Sequence, residues 1–266
     1  MTGKVISVIN QKGGVGKSTI TGALTTGLKL RGYKTLLVEL DPQGNASFCF
    51  RAQIPKEGKD LLTYLLEGKP LKGLIQKTEQ GDLIPSVPAL AGADINLYRA
   101  YKDKPAQAYL LQNALQPLRS KYDYIFIDTP PALNKISFNS LVASTNAIIP
   151  AKPELYSLQA IGQLNTTIKR VKADYNPDLD ITGILLIMAE AKTRLHKDVA
   201  ENLEQVAGLL DTRIIKHPIR KSIDIADAQN NRTDIFSYRK PNGSRSLSAY
   251  DFSVVIDNLL ELWKEG

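Results

Sequence analysis

The 266-residue chain has one cysteine, Cys49, and two histidines, His196 and His217. A lone cysteine makes no internal disulfide and cannot supply a pair of ligands for an iron–sulfur cluster, which suits a reducing cytoplasm. The histidines lie in polar contexts without metal-ligand spacing, and no Ser-His-Asp pattern can be assigned. No apolar run reaches 18 residues, so no membrane span is expected. The N-terminus runs into an apolar stretch at about Lys4 without a basic-then-apolar leader, so no signal peptide is expected. The length suits a single α/β domain over residues 1–266.

The charge balance leans basic. Lys and Arg number 34 against 27 Asp and Glu, a net +7. Between Thr212 and Arg245, eight basic residues (Arg213, Lys216, Arg220, Lys221, Arg232, Arg239, Lys240, Arg245) face three acids (Asp224, Asp227, Asp234), leaving +5 in that segment. A local excess of this kind points to a polyanion partner.

What is present is a phosphate loop. Residues 10–19 read Asn-Gln-Lys-Gly-Gly-Val-Gly-Lys-Ser-Thr, after the apolar run Val5–Ile9 and before a helical pattern. Glycines let backbone N–H groups turn inward on phosphate oxygens, and a helix N-terminus adds partial positive charge. Gly13, Gly14, Val15, Gly16, Lys17, Ser18 and Thr19 form the expected cradle. Lys17 reaches the β- and γ-phosphates, and the Ser18 hydroxyl ligates Mg²⁺. The pattern departs from G-x-x-x-x-G-K-[ST]: Gln11 stands at the first glycine, and a second lysine, Lys12, enters the loop.

Apolar runs alternate with longer helical patterns. Strands are expected at Val5–Ile9, Thr35–Leu40, Asp82–Ile84, Tyr124–Ile127, Ala147–Pro150, Ile181–Met188 and Arg213–Ile215. Helices are expected at Ser18–Arg31, Lys59–Glu67, Ala106–Ser120, Ile136–Ala143, Glu154–Tyr175, Lys197–Leu209 and Ser248–Lys264. This alternation implies a mainly parallel twisted sheet with helices on both faces. Ligands of such sheets bind beyond the carboxyl ends of the strands, where the loop lies. The polar stretch Asn230–Ser246 reads as a mobile surface loop.

Two further strands end in acids. Leu37–Leu40 leads to Asp41-Pro42-Gln43-Gly44-Asn45, and Pro42 disfavours helical geometry at Asp41. Tyr124–Ile127 leads to Asp128-Thr129-Pro130-Pro131, the form of a Walker B strand, whose Asp128 holds Mg²⁺ through water and orients Ser18. His217-Pro218-Ile219-Arg220-Lys221 follows the last expected strand.

With Lys12 in the loop, these segments resemble the ParA/MinD family of deviant Walker A ATPases, in its short Soj-like form. The likeness runs through Gln11–Thr19, Val38–Ala46, Ile84–Ala93, Tyr122–Pro131, Ile148–Leu158 and Gly183–Leu195. It implies a P-loop ATPase fold, ATP and Mg²⁺ as cofactors, and a homodimer closed by ATP, in which Lys12 touches the partner's nucleotide. Asp41 then orients the attacking water, Pro218 packs on adenine, and Arg220, Lys221, Arg232, Arg239, Lys240 and Arg245 contact duplex DNA without sequence preference. A ParB-like centromere-binding protein stimulates hydrolysis, and the protein resides on the nucleoid in the cytoplasm. Glu39 departs from the family, which has an aspartate there.

The resemblance leaves two other classes open. A MinD-like ATPase works on membranes, but residues 251–266 carry four acids and one lysine, which anionic lipid repels; lipid flotation with ATP separates the two. A metabolic P-loop enzyme would turn over ATP without partners and has no evident use for Lys12.

Overall fold

The computed structural model describes residues 2–102, 104–189 and 203–265. Its centre is an eight-stranded sheet: β1 (Lys4–Val8), β2 (Thr35–Glu39), β3 (Gln76–Lys77), β4 (Asp82–Ile84), β5 (Tyr124–Asp128), β6 (Asn146–Ala151), β7 (Asp180–Ala189) and β8 (Ile219–Arg220), in the order β3-β4-β2-β5-β1-β6-β7-β8. Every pairing is parallel except β3 with β4.

The central strands read as unbroken apolar runs because both of their faces are covered. Successive side chains alternate between two cores. Val5, Leu36, Val38, Ile125 and Ile127 join a layer formed with the helices Leu61–Leu66, Ala93–Tyr101, Leu110–Leu115 and Lys135–Ala143. Ile6, Val8 and Phe126 join the opposite layer, under the first helix, Lys17–Lys29, and the last, Leu247–Glu265. Phe252, Val255, Ile256, Leu259 and Trp263 of the last helix are buried there, worth about 1.5–3 kcal/mol each. Gly27 lets the two helices meet: a Cβ at that position would lie 2.3 Å from Ile256.

Several expectations need correction. Arg213–Ile215 makes only a single bridge, Ile184 with Ile214, and the sheet edge is completed by β8 instead. Ala106–Ser120 is not one helix: Pro117 has no N–H to give, and the segment divides into a 3₁₀ turn, Leu110–Leu115 and a second 3₁₀ turn. Of Lys197–Leu209, residues 203–209 are helical, and the remainder, like His196, lies outside the described residues. The stretch Asn230–Ser246 is anchored rather than loose, with Ile235 and Tyr238 buried. The helix Ile223–Asn230 precedes it, capped by Ser222, whose hydroxyl accepts from the Asp224 amide.

The last helix is fastened to β8 through one buried acid. Asp251 is fully buried, accepts from Arg220 Nε at 2.6 Å and Nη2 at 2.7 Å, and contacts His217 Nε2 at 2.9 Å. Burial alone would raise its pKa, but the bonds from Arg220 and His217 overcome this and hold it below the usual carboxylate value. A depressed folded-state pKa stabilises above the unfolded value and is lost as pH falls through the folded one. Asp251→Asn should therefore cost about 2–3 kcal/mol in urea denaturation at pH 7, discounted for the exposed side of Arg220. The gap from wild type should close below about pH 4. A gap that stays constant into acid would show that the carboxylate charge is not what matters.

Candidate functional site

The parallel register sets Val8 beside Asp128, and Asp128 beside Glu39, at one end of the sheet. The phosphate loop leaves β1 there. Buried Asn10 pins its start, donating from Nδ2 to the Pro150 carbonyl at 2.7 Å and accepting the Lys12 amide at 3.0 Å. Gly14 and Gly16 take φ of +67° and +69°, the left-handed region that glycine enters without penalty. Gly16 is also the N-cap of the first helix. It offers no side-chain cap, and the first turn holds no acid, so the amides and the positive end of the dipole stay available to an anion. Lys17 opens the helix, 6% exposed, and its Nζ donates to the Lys12 carbonyl at 3.1 Å. Burial lowers its pKa, while Asp128 and Asp41 act against that.

Asp128 is wholly buried, and neither carboxylate oxygen makes a well-formed hydrogen bond among the described residues, the Ser18 hydroxyl being the side chain that reaches toward it. Burial and the charges of Glu39 and Asp41 push its pKa well above the usual carboxylate range, against the pull of Ser18 and Lys17. A poorly satisfied buried acid beside a helix-start hydroxyl fits a hydrated divalent cation: oxygen donors suit Mg²⁺, which keeps several of its waters. Asp41 is 6% exposed. Its Oδ1 accepts the Gln43 amide at 3.0 Å, and its carbonyl accepts from Ser86 Oγ at 2.5 Å.

Glu39 serves a different purpose. Its carboxylate accepts the amides of Ala46 at 2.6 Å and Ser47 at 2.9 Å, and the Ser47 hydroxyl. It thereby caps the short helix Asn45–Cys49, whose own N-cap, Gly44, has no side chain. Ser47 Oγ in turn accepts the Ser86 amide at 3.1 Å. A chain of bonds thus runs from Glu39 through Ser47 and Ser86 to the backbone of Asp41.

Two adjoining cavities open at this end. One, of about 440 Å³, is lined by residues of the phosphate loop with Asp41, Asn45, Phe48, Pro131, Met188, Gln229 and Asn230. The other, of about 280 Å³, is lined by Ile187, Met188, Ile219, Arg220, Lys221 and Ile225, and the two share Gly16, Thr19, Met188 and Gln229. Gln229 Nε2 donates to Thr19 Oγ1 at 2.9 Å. Sequence reasoning missed Gln229, Asn230, Met188 and Phe48; the polar Gln-Asn-Asn run after an apolar-periodic segment was the available signal. Pro218 lines neither cavity, although Ile219, Arg220 and Lys221 after it line the second. Lys12 lines neither cavity; its side chain is 28% exposed, with Nζ 2.5 Å from Glu154 Oε2.

The basic segment is not a free cationic face. Arg220 is committed to Asp251. Lys240 pairs with Asp224 at 3.1 Å. Arg239 donates to the carbonyls of Phe236, Ser237 and Tyr238. Arg232 lies over the Phe48 ring at 4.0 Å. Arg245 is exposed.

Glu39→Gln should loosen the cap of the helix Asn45–Cys49, because one of the two accepting oxygens becomes an NH2 that faces a backbone N–H donor. Hydrogen exchange at the Ala46 and Ser47 amides should accelerate about tenfold or more, while Leu36–Val38 stay protected. Unchanged exchange at Ala46 and Ser47 would show that Glu39 does not hold this segment.

Comparison with known proteins agrees with this geometry. A family model described as an AAA domain matches residues 3–181. The chromosome partitioning protein ParA of Myxococcus xanthus is 33% identical over 89% of this chain and 82% of its own length. The sporulation initiation inhibitor protein Soj of Bacillus subtilis is 34% identical over 89% of this chain and 91% of its own. Among solved structures, cobyrinic acid a,c-diamide synthase from Mycobacterium smegmatis with bound ADP and magnesium superposes with a TM-score of 0.81 at 28% identity, covering 99% of this chain and 96% of that one. A sheet of this order, a loop with two lysines and relatives of this identity lead to one conclusion: the chain belongs to the ParA/Soj family of P-loop ATPases.

Proposed function

We propose that this chain is a single-domain, Mg²⁺-dependent partition ATPase that dimerises on ATP, binds duplex DNA without sequence preference, and is stimulated by a ParB-like partner. Lys12 carries the proposal. The cradle already has its own lysine in Lys17, so a second lysine in the loop is surplus to a site that works alone. Its pair with Glu154 is half-exposed, and pairs of that kind are worth about 0–1 kcal/mol. Lys12 is therefore cheaply released to a partner's nucleotide. The diamide synthase shares the fold, so the fold alone does not choose between partition and metabolism.

In this reading the loop amides and Lys17 bind the β- and γ-phosphates. Ser18 and Asp128 would hold Mg²⁺, which would neutralise phosphate charge. Asp41 orients a water whose oxygen bonds to the γ-phosphorus as the bond from that phosphorus to the β–γ bridging oxygen breaks; the water's proton passes to the released phosphate, and ADP and phosphate leave. The apolar cavity beside Met188 receives the base. DNA contact falls to exposed Arg245 rather than Arg220, Arg239 or Lys240, whose charges are engaged within the chain. The membrane alternative loses support because the apolar residues of the last helix pack in the core.

Light scattering with ATP tests the dimer. Lys12→Ala should retain ATP binding but lose the dimer and about 10³-fold of stimulated turnover, the scale of a cation supplied in trans. Asp41→Ala should dimerise and persist, with turnover about 10²–10⁴-fold lower. Wild-type hydrolysis by Asp41→Ala would remove it from the mechanism, and ATP-driven dimers of Lys12→Ala would remove Lys12 from the interface.

A further inference from the structure

The helix Ile223–Asn230 ends on an arginine where the backbone asks for glycine. Asn231 is its C-cap, and Arg232 follows with φ of +50°. The Arg232 amide donates to the Gln229 carbonyl at 2.9 Å, and the Thr233 amide donates to the Ala228 carbonyl at 2.9 Å. These two bonds form a Schellman ending, whose left-handed position is usually glycine. A residue with a Cβ is disfavoured there by about 1–2 kcal/mol. The Arg232 guanidinium lies 4.0 Å over the Phe48 ring, and it has no hydrogen-bond or ion-pair partner among the described residues. Phe48 is 48% exposed, and a cation over an exposed ring is worth about 0.5–1 kcal/mol. The contact therefore does no more than offset the backbone it requires, so stability does not account for it. The helix dipole does not account for it either, because a lysine in the last turn would serve the dipole without a strained φ.

The two partners stand on opposite walls of the cavity beside the phosphate loop. Phe48 belongs to the short helix Asn45–Cys49 and lines that cavity. This helix is anchored without Arg232, since Ala46 and Phe50 are buried in a small core with Leu37 and Leu83. Its backbone leads straight back to the Asp41 turn: the Phe48 amide donates to the Gly44 carbonyl at 2.9 Å, and the Gly44 amide donates to the Asp41 carbonyl at 3.1 Å. On the other wall, Gln229 is bonded to Thr19 of the first helix. Arg232 closes the circuit between them.

We propose that Arg232 is a positioning residue for ATP hydrolysis, which clamps Phe48 so that the turn from Asp41 to Gly44 keeps one geometry. The inference rests on the role given above to Asp41. That carboxylate sits on a turn beyond the end of β2, and a displacement of about 1 Å in a reacting group can cost about 10²-fold in rate. The clamp touches neither the loop amides nor Lys17, so its effect falls on turnover and not on affinity for ATP.

The test is steady-state hydrolysis of ATP with Mg²⁺ by the full chain, with a thermal melt of each variant. Arg232→Gly should melt at or above the wild-type temperature, because glycine suits the left-handed position. Its kcat should nevertheless fall about tenfold, with KM for ATP unchanged to within about twofold. Arg232→Lys keeps a cation for the ring and should recover part of the loss. Phe48→Leu should lower kcat to a similar extent, and adding Arg232→Gly to it should cost little more, as expected of two residues acting through one contact. Wild-type kcat in Arg232→Gly would overturn the proposal, as would full additivity of the two changes or a loss confined to KM. If any of these appears while Asp41→Ala loses turnover, the clamp is wrong and the role of Asp41 stands. If Asp41→Ala turns over normally, that role fails and the clamp with it.

Discussion

Three carboxylates and one ammonium converge at the carboxyl end of the sheet, and the chain by itself does not balance them. Strand register places Glu39 beside Asp128, Asp41 follows two residues after β2, and Lys17 is the cation against them. Glu39 is settled by backbone donors and by the Ser47 hydroxyl. Asp128 is not: it is buried, without a well-formed hydrogen bond among the described residues, and repelled by both neighbours. Proteins seldom leave a buried acid in this state. The arrangement fits a hydrated cation and phosphates, which would complete it.

The rest of the fold positions this group. Parallel strands with shared register bring β1, β2 and β5 to a common end, and the two helical layers make that end rigid by burying both faces. Asn10 and the two left-handed glycines shape the loop. The helix Ile223–Asn230 closes the nucleotide side through Gln229, and Arg232 over Phe48 ties the end of that segment to the helix that Glu39 caps. The Asp41 loop and the lip of the cavity are thus joined, and movement in one would reach the other.

The sequence showed most clearly those features that depend on neighbours in the chain. β1, β2 and β5 are continuous apolar runs because both faces are buried, and the loop's glycines and lysines declare a phosphate site without reference to anything distant. Pairings across the fold were hidden. Nothing local joins Arg220 to Asp251, 31 residues away, or Lys12 to Glu154, 142 residues away. A count of charges from Thr212 to Arg245 therefore suggested a free basic face, whereas folding neutralised much of it. Ile223–Asn230 escaped detection because its turn-forming Asp and Asn residues masked a short helix.

The central claim is that Asp128 is a buried acid held for a metal, and the thermal stability of Asp128→Asn tests it most directly. Removing an uncompensated buried acid should leave the ligand-free protein as stable as wild type or more so. The variant should also lose the extra stabilisation that Mg²⁺ adds to ATP in the wild type. A variant that is less stable without ligand, yet gains as much as wild type from Mg²⁺ with ATP, would contradict the account.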